Sequence, residues 1–222
     1  IKWCRKLGDV TVFVPKFEQS GKSHSIEIHK AFEAKQVELE PGVTVWAVDS
    51  SPADCVRFAV LGLHQQFDLV ISGINRGLNI GQDIMYSGTC SAAMEAAGLG
   101  LNALALSSEP ETFDDAIAQL DRIWAYINER GLYSKARLWN VNIPLNTNGE
   151  IRITRQGGPY YSDDFPAVGN GLYRPMGKPV WTDSGNDTLD TDATSHGYIT
   201  ITPLQLDRTN RAVFDRLQNL NT

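Results

Sequence analysis

Short apolar runs alternate with amphipathic stretches over the first two thirds of the chain. Each apolar run is rich in β-branched or aliphatic residues and ends at a turn residue or a polar segment, which is typical of a strand. The runs predict strands at Val10–Val14, Val43–Val48, Phe67–Ile71, Asn102–Leu106 and Leu138–Ile143. Amphipathic patterns with capping residues predict helices over Ser51–His64, Ser87–Leu99 and Asp114–Arg130. This alternation, with short connections, predicts a doubly wound α/β domain with a mainly parallel sheet over residues 1–145.

The two ends of the chain depart from this pattern. Ile1–Val10 places cations before Gly8, which predicts the last turns of a helix. After Pro144 the composition shifts to Gly, Pro, Asp, Asn and Thr, which predicts β-hairpins and loops. Further strands are predicted at Ile151–Thr154 and Gly197–Leu204, and a short helix at Asn210–Leu220. We expect residues 146–222 to form a hairpin-rich C-terminal extension that packs on the sheet domain or on another subunit.

Composition limits the class of protein. The 222 residues are 42% hydrophobic, which suits one large globular domain, and the formal net charge of -6 without a basic stripe argues against a nucleic-acid duplex as partner. Cys4, Cys55 and Cys90 are odd in number and far apart, which favours a reducing compartment and predicts the cytoplasm. The most apolar stretch is interrupted by polar residues and is too short to span a membrane, so no membrane association is expected.

A glycine-rich segment follows the predicted strand Phe67–Ile71, at the edge of a parallel sheet where ligands bind. Asn75 and Asn79 lie between its glycines, and "YSGT" then opens a helix. The first N–H groups of that helix, with the hydroxyls of Ser87 and Thr89, would form a cradle for an anion such as phosphate. Ordinary turns and a helix cap explain the same residues equally well, so spacing alone leaves both interpretations open.

A second polar segment, "EQSGKSHSI" at Glu18–Ile26, follows the predicted strand that ends before Pro15. The hydroxyl of Ser20 and the amide oxygen of Asn75 are acceptable ligands for Mg²⁺ or Mn²⁺, but both are neutral and would bind a hard cation weakly without carboxylates. An ordinary polar loop is the alternative for Ser20. His24 has no metal-ligand spacing to another histidine, and Asp83 fits an Asx-turn as well as a functional role.

Several segments together carry a family resemblance: "SGKSHSI", "SPADCV", "SGINRGLNIGQDIMYSGTCSAAMEA", "NVNIP" and "TDATSHGYITITPL". The sequence resembles the SurE family of survival proteins, which have 5'-nucleotidase or acid phosphatase activity. The resemblance spans nearly the whole chain and implies a Rossmann-like α/β domain, a divalent metal cation (Mg²⁺ or Mn²⁺) at a phosphate site, and an extension that swaps between the subunits of a homodimer or homotetramer.

The resemblance also implies roles for individual residues. The family's metal-binding serine and asparagine match Ser20 and Asn75. Its phosphate-binding positions, which we expect to be catalytic, match Asn79, Ser87, Gly88 and Thr89. The two adjacent metal-binding aspartates of the family's Asn-Asp-Asp-Gly motif do not occur in this sequence. Because loss of a central first strand would leave its neighbours with unpaired backbone groups, we expect the natural protein to carry this motif upstream.

These observations predict a hydrolase, namely a metal-dependent phosphomonoesterase acting on nucleoside 5'-monophosphates. The metal would act as a Lewis acid on the phosphoryl oxygens, while the helix start and Asn79 stabilise their charge. The nucleophile is either an aspartate of the family motif or a metal-bound water. The alternative is a catalytically inactive nucleotide- or phosphate-binding oligomeric protein. A concentration of aromatic residues between Tyr160 and Tyr198 predicts at least a homodimer, with the extension packed on the partner.

Overall fold

A computed structural model of the chain describes residues 1–109 and 113–220. The strands are β1 (Thr11–Pro15), β2 (Ala34–Val37), β3 (Thr44–Val48), β4 (Leu69–Arg76), β5 (Asn102–Ser108), β6 (Leu138–Ile143), β7 (Ile151–Ile153), β8 (Tyr161–Asp164), β9 (Ala167–Gly169), β10 (Leu172–Tyr173), β11 (Met176–Pro179) and β12 (Ile199–Pro203). The α-helices are α1 (Pro52–Arg57), α2 (Gly88–Gly98), α3 (Asp114–Glu129), α4 (Asp190–Ser195) and α5 (Arg211–Leu217). Short 3-10 turns lie at Cys4–Lys6, Gly81–Tyr86, Leu132–Ser134 and Gln218–Leu220, and a π-helical turn lies at Phe58–Gly62.

The larger sheet has five strands in the order β4-β5-β6-β12-β7. β4, β5 and β6 run parallel, β12 is antiparallel to β6, and β7 is parallel to β12. Every residue of β6 is buried, as an apolar run covered on both faces requires. The predicted mainly parallel α/β fold is confirmed, and two strands of the extension, β7 and β12, complete its central sheet.

The first strands form a separate sheet, in which β3 lies between β1 and β2. β1 and β3 are parallel, whereas β2 is antiparallel to β3. The single sheet expected from the alternation is therefore divided in two. β2 was not expected, because "AKQV" has neither an apolar run nor a clear alternation and only its first residue is partly covered.

A groove of about 1430 Å³ is lined by residues of both sheets. β1 is the end strand of the smaller sheet and β4 the end strand of the larger one, and both strands line the groove. Side chains of α1 and α2 also line it, including Val56 and Ala92. The carboxyl ends of β1 and β4 therefore open onto one concave surface.

The first helix begins at a capping residue, as the sequence predicts. The Oγ of Ser51 accepts the N–H of Asp54 at 3.1 Å, and Pro52 occupies the first turn of α1. The predicted helix over Ser51–His64 is α-helical only to Arg57 and continues as the π-helical turn. The apolar face of α3 packs in one core cluster with β5, β6 and β12. In the described part of the chain, no helix is long and apolar enough to cross a membrane.

The extension contains two regions of different character. β7 and β12 belong to the large sheet, and α4, which precedes β12, is mostly buried although its residues show no helical pattern. Two antiparallel pairs, β8 with β11 and β9 with β10, form the predicted hairpins. Residues 161–180 are exposed throughout.

Candidate anion-binding site

The six residues singled out in the sequence lie around one groove. One lies in the loop after β1, one lies near the end of β4, one lies in the glycine-rich segment, and three lie at the start of α2. All six line the groove between the two sheets: Ser20, Asn75, Asn79, Ser87, Gly88 and Thr89. The fold thus brings together residues that are up to 69 positions apart in the chain, 89 minus 20.

The start of α2 has the geometry of an anion cradle. Ser87 is the N-cap in an extended conformation, and its Oγ accepts the N–H of Cys90 at 3.0 Å. The first-turn N–H groups of Gly88 and Thr89 have no acceptor within the helix. A Cβ at Gly88 would lie 2.9 Å from Cγ of Pro52, so glycine allows α1 to pack closely beside this helix start. The helix dipole and these N–H groups favour a bound anion.

Asn75 connects the end of β4 to this cradle. Its Oδ1 accepts the hydroxyl of Thr89 at 3.2 Å, and its Nδ2 donates to the carbonyl oxygen of Gly77 at 2.8 Å. The amide group therefore has a fixed orientation, with the oxygen toward α2. An amide oxygen so placed can contact a ligand that is held by the helix start.

Asn79 is buried, with 8% of its surface exposed, and is held by side chains of β5 and β6. Its Nδ2 donates to the Oγ of Ser107 at 2.6 Å, and its backbone N–H donates to the Oδ1 of Asn142 at 2.7 Å. Its backbone carbonyl accepts Nδ2 of Asn140 and of Asn142, at 2.8 and 2.9 Å. Sequence reasoning missed these partners, although two asparagines spaced by two in a strand as apolar as "LWNVNI" could have indicated them.

Ser20 lies on a loop that is fastened to α1 and α2. Its Oγ donates to Glu18 at 2.7 Å. Farther along, His24 contacts Glu95 of α2 at 2.7 Å, and Glu95 also pairs with Arg57 at 2.9 Å. The carbonyl of Ser25 accepts the Ser51 hydroxyl. The ambiguous histidine of this segment thus anchors the loop by a hydrogen bond with Glu95 of α2.

The remaining candidate, Asp83, has a structural role in this arrangement. Asp83 accepts the backbone N–H of Tyr161 at 2.9 Å, and burial raises the pKa of its carboxyl group. It therefore joins the turn before α2 to the first hairpin strand of the extension. Burial also raises the pKa of the Cys90 thiol to about 12, so this residue stays protonated and is a poor nucleophile.

The described residues alone do not fit a divalent cation. Ser20 and Asn75 supply neutral oxygens, and the Ser20 hydroxyl and the Asn75 amide are already hydrogen-bonded. Within residues 1–109 and 113–220 no group of three or more His, Cys, Asp or Glu is placed to hold a metal ion. A hard cation normally requires carboxylate ligands in addition to such oxygens.

Together, the parallel strands, the glycine-rich segment and the helix start define an α/β protein with a candidate anion site beyond the carboxyl ends of its strands. The family model of Survival protein SurE matches residues 2–163. The chain belongs to the SurE family.

Named relatives and a solved structure agree with this assignment. The chain is 40% identical to the 5'-nucleotidase SurE of Syntrophotalea carbinolica, over 95% of this chain and 86% of that protein. It is 36% identical to the 5'-nucleotidase SurE of Legionella pneumophila, over 96% of this chain and 87% of that protein. The crystal structure of SurE protein from Aquifex aeolicus superposes with a TM-score of 0.74 at 29% identity, covering 100% of this chain and 92% of that one.

Proposed function

We propose that the protein is a phosphomonoesterase that hydrolyses nucleoside 5'-monophosphates. The observation that carries the proposal is the convergence of Ser20, Asn75, Asn79 and the start of α2 on one groove. Relatives that are 35–40% identical over most of the chain are named 5'-nucleotidases, which supports the same reaction here.

In this reaction one water is consumed: an oxygen nucleophile attacks phosphorus, the bond between phosphorus and the 5' oxygen breaks, and the oxygen of the water ends on the phosphate. The leaving oxygen takes a proton and departs as the nucleoside hydroxyl, and the other product is phosphate. The N–H groups of Gly88 and Thr89 and the Ser87 hydroxyl would bind the phosphoryl oxygens and stabilise the charge on them, joined by the Thr89 hydroxyl once it turns from Oδ1 of Asn75 to the ligand. Asn75 and Asn79 would fix the orientation of this group.

We propose that activity requires Mg²⁺ or Mn²⁺, with Ser20 and Asn75 as two of the ligands. Because both are neutral, this proposal also requires carboxylate ligands from outside the described donor set. The check is phosphate release from a nucleoside monophosphate after chelation with EDTA and after return of each metal. Unchanged activity in EDTA would contradict metal dependence.

We further propose that residues 146–222 act as an assembly extension, and that the protein is a cytoplasmic homodimer or homotetramer with exchanged arms. The exposed hairpins support this, because they present large apolar side chains to solvent. These side chains are Tyr161, Phe165, Val168, Leu172, Tyr173 and Met176. The described cysteines are all free, as expected in a reducing compartment.

The experiment for the site compares two variants in the complete protein. Asn75→Ala should abolish metal-dependent phosphate release, whereas Ser87→Ala combined with Thr89→Ala should weaken inhibition by phosphate or vanadate by about tenfold or more while changing metal affinity less. Ser134→Ala, an exposed hydroxyl beyond α3, is the control. Full activity of Asn75→Ala would remove that residue from the site. Phosphate binding by the wild type without any hydrolysis would favour an inactive binding protein.

A further inference from the structure

A buried carboxylate of the extension contacts the glycine-rich segment. Asp190 begins α4 and is 1% exposed. Both of its side-chain oxygens accept the N–H of Gly81 at 3.1 Å, and Oδ1 also accepts the N–H of Gly157 at 2.8 Å. Desolvation raises the pKa of this carboxyl group, and these N–H groups lower it in part. One side chain therefore joins the segment before α2 to the segment after β7.

The same junction is closed by further contacts. The Nε2 of Gln156 donates to the carbonyl of Gly81 at 2.9 Å, and the N–H of Gln82 donates to the carbonyl of Gly158 at 3.0 Å. Gly81 has φ +56°, and a Cβ there would lie 2.2 Å from the Gly158 oxygen. The two backbones are therefore in close contact here. The extension binds the N–H of Gly81 through Asp190 and its C=O through Gln156.

Gly81 lies two residues after Asn79, at the start of the 3-10 turn that leads to Ser87. The side chains of β5 and β6 hold this segment at Asn79, and Asp190 holds it at Gly81. The position of the cradle therefore depends on both supports. We infer that Asp190 is a positioning residue of the anion site, which fixes the segment between Asn79 and Ser87 so that the start of α2 faces the ligand. This inference rests on the proposed phosphate chemistry of that site.

The chain supplies a matched control in the same helix. Asp192 is also 1% exposed, but it accepts Nε1 of Trp181 at 2.9 Å and the N–H groups of Ser184 and Asn186, each at 3.0 Å. These partners lie between β11 and α4, away from the glycine-rich segment. Asp190 and Asp192 thus share burial, helix and chemistry and differ in the segment that they hold.

The experiment compares Asp190→Asn with Asp192→Asn in the complete protein. Each variant removes one buried carboxylate, so both should lower the melting temperature. Asp190→Asn should weaken binding of inorganic phosphate, measured by calorimetry, by about tenfold, because the cradle loses its support. Asp192→Asn should bind phosphate as the wild type does. Gln156→Ala removes the hydrogen bond to the carbonyl of Gly81 and should weaken phosphate binding by about two- to threefold. This second variant tests the inference if Asp190→Asn does not fold.

Hydrogen exchange separates this inference from the proposed function. Asp190→Asn should speed amide exchange in residues 79–89, whereas Asp192→Asn should speed it in residues 181–187. A wild type that binds no phosphate would overturn both the proposed function and the assignment to an anion site. With a phosphate-binding wild type, unchanged exchange in residues 79–89, or equal losses of phosphate affinity in the two variants, would overturn the role of Asp190 alone.

Discussion

The segment around the anion site and the hairpins at residues 161–180 are built in opposite ways. The first is held by β5, β6, α4 and the segment after β7: Asn142 and Asp190 accept backbone N–H groups of this segment, and Asn140 donates to one of its carbonyl groups. The hairpins pair mainly with themselves, and all of their residues are exposed. The comparison indicates that tertiary contacts fix the geometry of the site. The hairpins instead leave their side chains exposed, where they can contact other copies of the chain.

The strongest way to sharpen the comparison is to add a methyl group at a glycine of each region. Gly81→Ala should destabilise the protein by about 3 kcal/mol or more and abolish phosphate binding, because the new Cβ would meet the Gly158 oxygen in a strained backbone conformation. Gly171→Ala in the hairpins has a similar positive φ, +73°, but open space around it, and should cost about 1 kcal/mol. Urea denaturation measures both. Equal losses would contradict the view that the site segment is the more constrained region.

Removal of the hairpins tests the other half of the comparison. Tyr160 and Val180 are hydrogen-bonded at 2.9 Å, so residues 161–179 can be replaced by a short Asn-Gly turn. We expect the wild type to have at least twice the chain mass of 24.5 kDa and the variant to be a monomer that still binds phosphate. Light scattering gives the masses. An arm-free variant that keeps the wild-type assembly would show that the hairpins do not join the subunits.

The smallest expected effect lies at the base of the hairpins, where His196 contacts Asp187 at 2.5 Å and Asp183 at 2.9 Å. Hydrogen bonds to these carboxylates raise the pKa of His196 to about 9. Below about pH 6.5 the imidazole is charged in the folded and the unfolded state, so the ion pairs contribute fully, and this contribution is lost as the pH rises through 9. His196→Gln should lower the melting temperature by about 1–3 °C at pH 6.

At pH 10 this difference should disappear. His29→Gln, at an exposed histidine, is the control. A difference that persists unchanged at pH 10 would show that packing of the ring, and not its charge, stabilises this corner.

The sequence predicted those elements whose own residues carry the signal. β6 is a short apolar run broken only by Asn140 and Asn142, and α1 and α2 begin at recognisable caps at Ser51 and Ser87. α4 was not predicted, because "DTDATS" has no helical spacing of apolar residues. It becomes helical through its buried contacts. The division into two sheets was also not predicted, since strand order depends on long-range pairing.

The same distinction applies to the site. The glycine spacing and the family resemblance indicated Asn75, Asn79 and the start of α2, and the fold brings them to one groove. Their supports, Asp190 and Asn142, lie more than 60 residues away and hold backbone groups, at separations of 109 and 63 residues. A backbone N–H is present at nearly every position, so the local sequence does not show which of them a distant side chain will bind.

The uneven burial of the three thiols makes the native chain suitable for selective labelling. The thiols of Cys55 and Cys90 are buried, and burial raises the pKa of each to about 12, so maleimides should react with them slowly. Burial also raises the pKa of the Cys4 thiol, but Cys4 is partly accessible and lines the groove between the two sheets. A fluorophore attached there would report on the occupancy of that groove without any engineered cysteine.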